Sequence, residues 1–514
     1  MTPLRTILRR GLAVGTAGLL GATVVTACTV APQPKPFHPT LAWGPCPDDV
    51  ETTFLTAHQC GTLTVLANRA RPDGGTVKLL VAKVPPPAGA TMPGLGTSFG
   101  ANFGDPDSVG GEIAAGTARL GRTTLQLEWR GSGPHSTPSL RCPEVDPLGP
   151  QAAAARDDDP GVLTAFVAAV GRCAARLRAH GVEPADYTAT AMAQDVEDLR
   201  AAAGVDHWAM GASYGTQSAV LMEYLRLFPH RLQAAYLDSP RFSGPTASRQ
   251  DAVALRQTLD ALFRECGQAP NCRAAHPELG TLWIRALAST TNHPLRGTAQ
   301  VGAQKVAVLV DGAKLVRAAR FTLGGEGGPL TALPRIIDEA AHGHLAPELA
   351  TLVAKDPLFC SGYRPRCRDT RFSLGLFLTN VCSTPPSNRT PPDAARMPGT
   401  GQAAYSMVFD ASPYSRVCDA WKVPSLSSEP PLSRTALPML LMSGDLDSFS
   451  PRAATRTAAG QLGPTAHVLS VPDGIHNVLG YYECAITARN DWTRHPQFPP
   501  TSRACDTAAR VEFR

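Results

Sequence analysis

The sequence predicts an α/β protein: a mostly parallel sheet with helices on both faces, interrupted by a helical insertion. Short apolar runs of strand length alternate with amphipathic stretches of helical spacing between residues 77 and 242. The alternation lapses from about 243 to 430, where helical segments sit among Gly- and Pro-rich loops, and then resumes. With 514 residues, 43% of them hydrophobic and 18% charged, the chain can fill a large core and is too poor in charge for a disordered or coiled-coil protein.

In chain order, the run from Val77 to Val84 predicts a strand, stopped by Pro85-Pro86-Pro87. Thr124 to Trp129 predicts a second. Leu163 to His180 and Ala191 to Ala203 carry apolar residues at helical spacing, the latter with Asp195, Glu197, Asp198 and Arg200 on its wet side. His207 to Met210 is a short strand entering a Gly-rich turn, Thr216 to Phe228 a helix, and Gln233 to Leu237 the next strand. Gln250 to Arg264 and Gly312 to Leu323 are helices of the insertion, and Leu437 to Met442 and Ala466 to Val471 return to the sheet. The divisions that follow are 1–27 as a signal peptide, 28–40 as a tether, 41–242 and 431–483 as the two parts of the core, 243–430 as a helical lid, and 484–514 as a C-terminal tail.

The N-terminus supports export. Arg5, Arg9 and Arg10 precede an uncharged apolar run from Gly11 to Ala27. The run ends Val25-Thr26-Ala27-Cys28, the pattern of a lipobox, in which Cys28 would be lipidated and become the mature N-terminus. A plain signal peptide, which would leave the protein secreted, is the alternative; a retained membrane anchor fits less well, since the run is at the short limit for spanning and leaves the cysteine unexplained. Arg9-Arg10 also fits a twin-arginine signal loosely. Prolines 32, 34, 36 and 39 make the following stretch an extended tether.

Of 13 cysteines, setting Cys28 aside leaves twelve, an even number suited to an oxidising compartment. The simplest pairing is sequential: Cys46 with Cys60, Cys142 with Cys173, Cys266 with Cys272, Cys360 with Cys367, Cys382 with Cys418, and Cys484 with Cys505. A zinc site would need Cys-x-x-Cys pairs with further ligands, and none is present. Net charge is +5; without Arg5, Arg9 and Arg10 it is 45 basic against 43 acidic residues, or +2. That balance argues against nucleic acid as a partner. No metal or organic cofactor is implied.

Gly211-Ala212-Ser213-Tyr214-Gly215 matches Gly-x-Ser-x-Gly, and so does Gly96-Thr97-Ser98-Phe99-Gly100. The motif carries chemistry only as a tight strand-to-helix turn that lifts the serine clear of the sheet. Ser213 lies between a strand and a helix, whereas Ser98 is followed by no helix, so Ser213 is the candidate nucleophile. A serine hydroxyl needs a histidine to take its proton and a carboxylate to orient the histidine, in the chain order Ser, Asp or Glu, His for an α/β-hydrolase. The loop after Met442 offers Asp445 and Asp447, which residue chemistry alone does not separate. The loop after Val471 offers His476. A lone histidine is more often structural, as His467 within the strand pattern would be, but His476 follows the right strand in the right order.

Asp195 to Arg200, Met210 to Thr216 and Gly444 to Pro451 resemble the secreted tripeptidyl aminopeptidases of actinobacteria, in the prolyl-iminopeptidase-like branch of α/β-hydrolases. Tyr187-Thr188, Cys418-Asp419-Ala420-Trp421 and the Cys-bounded tail extend the likeness over most of the mature chain. The resemblance implies an α/β-hydrolase core with a disulfide-bonded lid, Asp447 as the acid through the pattern Gly-x-x-Asp-x-x-Thr/Ser-Pro, and a peptide substrate with a free N-terminus. Two departures stand out. The family's Gly-Gly-Pro-Gly oxyanion loop is replaced by Thr97 to Gly104, and its Asp-x-Arg-Gly-x-Gly-x-Ser by Glu128 to Ser136.

The expectation is a surface-anchored serine hydrolase in which Ser213, His476 and Asp447 act together, Tyr214 N–H binds the oxyanion, and Phe99 or Gly100 supplies a second donor. An aminopeptidase also needs a carboxylate for the substrate ammonium, with Asp251, Asp260 and Glu265 as candidates. An esterase or lipase acting on envelope lipids is the rival within enzymes. A binding lipoprotein with an impaired oxyanion loop is the rival outside them.

Overall fold

The computed structural model describes residues 37–47, 59–85, 95–99, 122–133, 135–242, 247–324, 330–355, 373–384, 408, 412–426, 432–501 and 505. The side chains of 95–99, 247–251 and 412–414 are outside that description, as are Cys28, Cys360 and Cys367. Residues 38–514 form one compact unit.

Its centre is a nine-stranded sheet in the order β1-β2-β3-β5-β4-β6-β7-β10-β11. The strands are β1 (Thr40–Gly44), β2 (Gln59–Leu66), β3 (Thr76–Val84), β4 (Leu95–Phe99), β5 (Thr124–Leu127), β6 (Trp208–Ala212), β7 (Leu232–Asp238), β10 (Met439–Gly444) and β11 (Ala466–Val471). Pairing is antiparallel from β1 to β5 across β2 and β3, and parallel from β5 through β4, β6, β7 and β10 to β11. Strand alternation sends β3 side chains to both faces: Val77, Leu79 and Val81 join the main core, while Leu80 and Ala82 pack with Cys60.

Helices cover the sheet because their apolar residues recur every three or four positions. Among the described residues the first are α1 (Gly149–Ala154), α2 (Pro160–Ala179), α3 (Ala189–Ala202) and α4 (Thr216–Leu227). On α2 the buried set is Phe166, Ala169, Val170, Cys173, Ala174 and Leu177, one stripe along the helix. Pro160 at its first position and the Asp159 carboxylate, which accepts from the N–H groups of Gly161 and Val162, fix where it starts.

Between β7 and β10 the chain forms α5 (Ala247–Gln268), α6 (Pro270–Ala275), α7 (Leu279–Asn292), the hairpin β8 (Leu295–Val301) and β9 (Gln304–Val310), then α8 (Gly312–Leu323), α9 (Leu333–Ala341) and α10 (Pro347–Ala354). These helices have a core of their own, with Leu255, Leu259, Trp283, Leu287, Ile336 and Ile337. The antiparallel hairpin is an addition to the expected helical segment. It turns at Gly302, whose φ of +58° suits glycine. The next two helices among the described residues, α11 (Leu374–Ser383) and α12 (Ser412–Trp421), instead contribute Leu374, Leu378, Val417 and Trp421 to the main core. The last described helices are α13 (Arg452–Leu462), α14 (Val478–Tyr481) and α15 (Glu483–Arg494).

Disulfides join Cys46 to Cys60, Cys142 to Cys173, Cys266 to Cys272, Cys382 to Cys418 and Cys484 to Cys505, the sequential pattern. The expected bond of Cys360 with Cys367 lies outside the described residues.

Candidate active site

β6 ends at Ala212 and α4 begins at Thr216, so Ser213 sits in a three-residue turn at the C-terminal edge of the parallel strands. The sharpest backbone reversal falls on Gly215, at φ +64° and ψ −120°, a conformation that glycine reaches without a Cβ clash. Gly211 is required for another reason: a Cβ there would lie 2.2 Å from the Tyr236 ring on the adjoining strand. The first turn of α4 folds back over the elbow. Ser213 N–H donates to Gln217 Oε1 at 2.9 Å, and Ser218 Oγ donates to the Ser213 carbonyl at 2.6 Å. Ser213 itself is half-buried.

The acid and the imidazole come from the loops after β10 and β11. His476 Nδ1 lies 3.0 Å from each carboxylate oxygen of Asp447. Asp447 is fully buried, and its Oδ1 also accepts the N–H groups of Phe449 and Ser450 at 2.8 Å. Burial works to raise its carboxyl, but the imidazole and these donors outweigh it and hold the group below the ordinary carboxylate range. Asp445, the alternative in the same loop, turns away to pair with Arg452 at 3.2 Å. The two loops meet tightly: a Cβ on Gly444 would fall 2.0 Å from the Gly474 carbonyl oxygen.

The elbow is brought against the imidazole by its aromatic neighbour. The Tyr214 ring meets His476 edge-on with centroids 4.9 Å apart, and Phe449 meets it at 5.1 Å. Phe321 packs on Phe449 at 6.2 Å, and the guanidiniums of Arg241 and Arg320 lie over Tyr214 and Phe449. The imidazole therefore looks out through an aromatic wall with positive charge behind it.

Phe99 is the last residue of β4, whose Ser98 stands in register with Gly211 on β6. β4 therefore ends on the strand next to the one that carries the elbow; Gly100 lies outside the described residues. Of the candidate ammonium ligands, Asp260 is exposed, Glu265 is half-buried, and the Asp251 side chain is outside the description.

The stretch Glu128 to Ser136, which departs from its family pattern, is structural. Arg130 is buried and binds Asp195 in parallel, Nε to Oδ2 and Nη2 to Oδ1, both at 2.6 Å. Its remaining donors reach the carbonyls of Leu66, Ala67 and Asp186. Gly133 leaves room for the Glu128 carboxylate, which a Cβ would meet at 1.5 Å. His467, in β11, is half-buried, and desolvation lowers its pKa, in keeping with a structural place.

Sequence reasoning missed Asp238. It ends β7, is fully buried and faces the imidazole loop, yet the alternation pattern closed that strand one residue earlier. A carboxylate at the C-terminal end of a parallel strand was the available signal.

A family model described as TAP-like protein matches residues 403–505, the segment that carries Asp447 and His476. No curated relative matches the chain. Among solved structures, a proline iminopeptidase-related protein from Thermus thermophilus is 16% identical, covering 85% of this chain and 99% of that one at a TM-score of 0.36. A thermophilic esterase from Thermogutta terrifontis is 13% identical, with 85% and 99% covered at 0.35. Overlaps this loose leave the fold to the sheet itself. From β2 onward the strands lie first, second, fourth, third and then in sequence, with only β3 reversed between its neighbours and the acid and imidazole after the last two. This chain has the α/β-hydrolase fold, with an insertion between β7 and β10.

Proposed function

We propose that this protein is an exported serine hydrolase that cleaves acyl bonds through Ser213, His476 and Asp447, and that its substrate is a peptide with a free N-terminus. The observation that carries the reading is the His476–Asp447 pair, buried at the C-terminal edge of the sheet beside the Ser213 elbow.

With Nδ1–H held by Asp447, Nε2 is the basic nitrogen that takes the Ser213 proton as Oγ attacks a carbonyl carbon. The same nitrogen returns the proton to the leaving amine. The acyl-enzyme is then released by water, with His476 again the base. Tyr214 N–H stands one residue past the nucleophile, where it can bind the oxyanion, a donor worth roughly 3–4 kcal/mol of transition-state stabilisation. Phe99, the last residue of β4 on the strand beside the elbow strand, is the candidate for the second donor.

The TAP-like match and the resemblance to tripeptidyl aminopeptidases support the peptide substrate. The disulfides support export into an oxidising compartment, and the Val25 to Cys28 lipobox supports anchoring to the outer face of the membrane through Cys28. A second reading, an ester substrate, is favoured by Arg241 and Arg320, whose positive charge behind the aromatic wall is poorly placed for an ammonium group.

Fluorophosphonate labelling of the protein beside Ser213→Ala tests the nucleophile. Labelling of the parent but not of the variant is expected, and a folded parent that resists the probe sinks the hydrolase reading. Peptide and ester panels then separate the two substrates.

A further inference from the structure

Asp238, with Ser239 beside it, lies behind the imidazole loop. Asp238 Oδ1 accepts the N–H of Val478 and Oδ2 that of Leu479, each at 3.0 Å. Ser239 Oγ accepts the N–H of Asn477 at 2.8 Å. The three backbone amides that directly follow His476 are therefore all held by two consecutive side chains at the end of β7.

The same dipeptide reaches the acid. Ser450 Oγ donates to the Ser239 carbonyl at 2.6 Å, and Ser450 N–H donates to Asp447 Oδ1. A closed ring of contacts results, running from His476 to Asp447, on to Ser450 and Ser239, and back through Asn477. Two of its members, Ser239 at φ +50° and Asn477 at φ +65°, hold left-handed backbone conformations that non-glycine residues seldom adopt. Strain of this kind persists only where the surroundings impose it. Asp238 sits in a costly place as well: burial pushes its carboxyl up to about 6, against the pull of the Leu479 and Val478 amides and of His476, with Asp447 adding to the rise.

We propose that Asp238 and Ser239 are positioning residues for the proton relay, fixing the His476 loop and the Asp447 loop to the same strand end so that imidazole and carboxylate stay in register. The proposal rests on reading His476 as the general base. Both residues are buried behind the imidazole loop. Asp238 is suited to the task because a carboxylate offers an acceptor oxygen to each of two amides, whereas an amide side chain offers one oxygen and turns its NH2 toward the other N–H.

The test uses Asp238→Asn and Ser239→Ala in the full chain, each checked for a cooperative thermal transition. Displacement by about 1 Å costs on the order of 100-fold in rate. Asp238→Asn is expected to lower kcat and the fluorophosphonate labelling rate together by about that factor with KM within about twofold of the parent. Ser239→Ala is expected to give a smaller loss in the same direction. The downfield proton resonance of His476 Nδ1–H, assigned by its loss in Asp447→Asn, should broaden or shift in both variants.

Folded variants that keep the parent labelling rate and resonance overturn the proposal. A fall in kcat matched by a rise in KM, with the resonance unmoved, also overturns it. If Asp238→Asn does not fold, Ser239→Ala decides. A parent that ignores the probe but shows the resonance sinks the hydrolase reading separately, and the resonance in the variants then decides the positioning role.

Discussion

Phe449 presses so closely on Gly324 that a Cβ on the glycine would fall 1.9 Å from the ring. Gly324 follows the end of α8, and Phe449 belongs to the acid loop, so one van der Waals contact joins the inserted segment to the wall of the imidazole. The glycine is not needed for its backbone, which has φ −82°. It is needed for space.

Gly324→Ala should therefore act through the ring. Phe449 is hemmed in by Tyr214, Phe321 and His476 and can yield only by moving within that cluster. Overpacking of this sort costs about 1–3 kcal/mol. Turnover should fall by more than stability predicts, and a variant with parental kcat and KM would contradict the contact.

Asp447→Asn should leave the loop in place and remove the carboxylate that selects the Nδ1–H tautomer. If Ser213, His476 and Asp447 act as proposed, a loss of roughly 10^4-fold in kcat is expected, as for the equivalent change in a serine-protease triad. Steady-state kinetics on whichever substrate the panels identify would measure it, with Asp445→Asn as the control expected to stay near the parent.

The two buried carboxyls give opposite dependences of stability on pH, in different windows. Asp238 is raised in the folded state from its ordinary value near 4 to about 6, so its contribution is fully present below pH 4 and is lost as pH rises through 6. The size is about 3 kcal/mol at most, from a rise of roughly two pH units. Asp447 is held low, so its contribution is present above the ordinary carboxyl pKa and is lost as pH falls below it. Urea unfolding from pH 3 to 7 should lose its decline between 4 and 6 in Asp238→Asn and lose its acid limb in Asp447→Asn.

Arg130 and Asp195 form a buried pair with side chains 0% and 1% exposed. Removing one partner of such a pair leaves an uncompensated charge and costs about 3–5 kcal/mol. Asp195→Asn should destabilise by that order in chemical denaturation, and Arg130→Lys should also destabilise because it gives up the two-pronged geometry.

Cys382 and Cys418 tie α11 to α12 across 36 residues. Loop-closure entropy puts the bond at about 4 kcal/mol. A Cys382→Ala, Cys418→Ala protein should lose stability on that scale and label with fluorophosphonate at the parental rate, since both helices pack on the main core rather than at the elbow.

Much of this was readable from residue order. The strand from Trp208, the turn at Ser213 and the helix from Thr216 follow directly from apolar runs broken by small residues. The parallel strands containing Leu441 and Val468 follow in the same way. What escaped was short or polar. β1 begins where a proline-rich tether was expected to end, and β8 and β9 were absorbed into a segment judged helical, though Val306, Val308 and Val310 alternate. Asp238 escaped for a different reason. Its place at the end of a parallel strand was visible locally, but the amides it holds lie some 240 residues further along the chain, and no local pattern names them.

Thr258 Oγ1 donates to the Asp447 carbonyl, and Ser448 Oγ donates to the carbonyl of Arg320, so helices α5 and α8 both hold the acid loop. The inserted segment thus braces the acid loop. Trimming it to widen access for bulky substrates would release the acid loop on one side, and the opened enzyme would be slower at every substrate, small ones included.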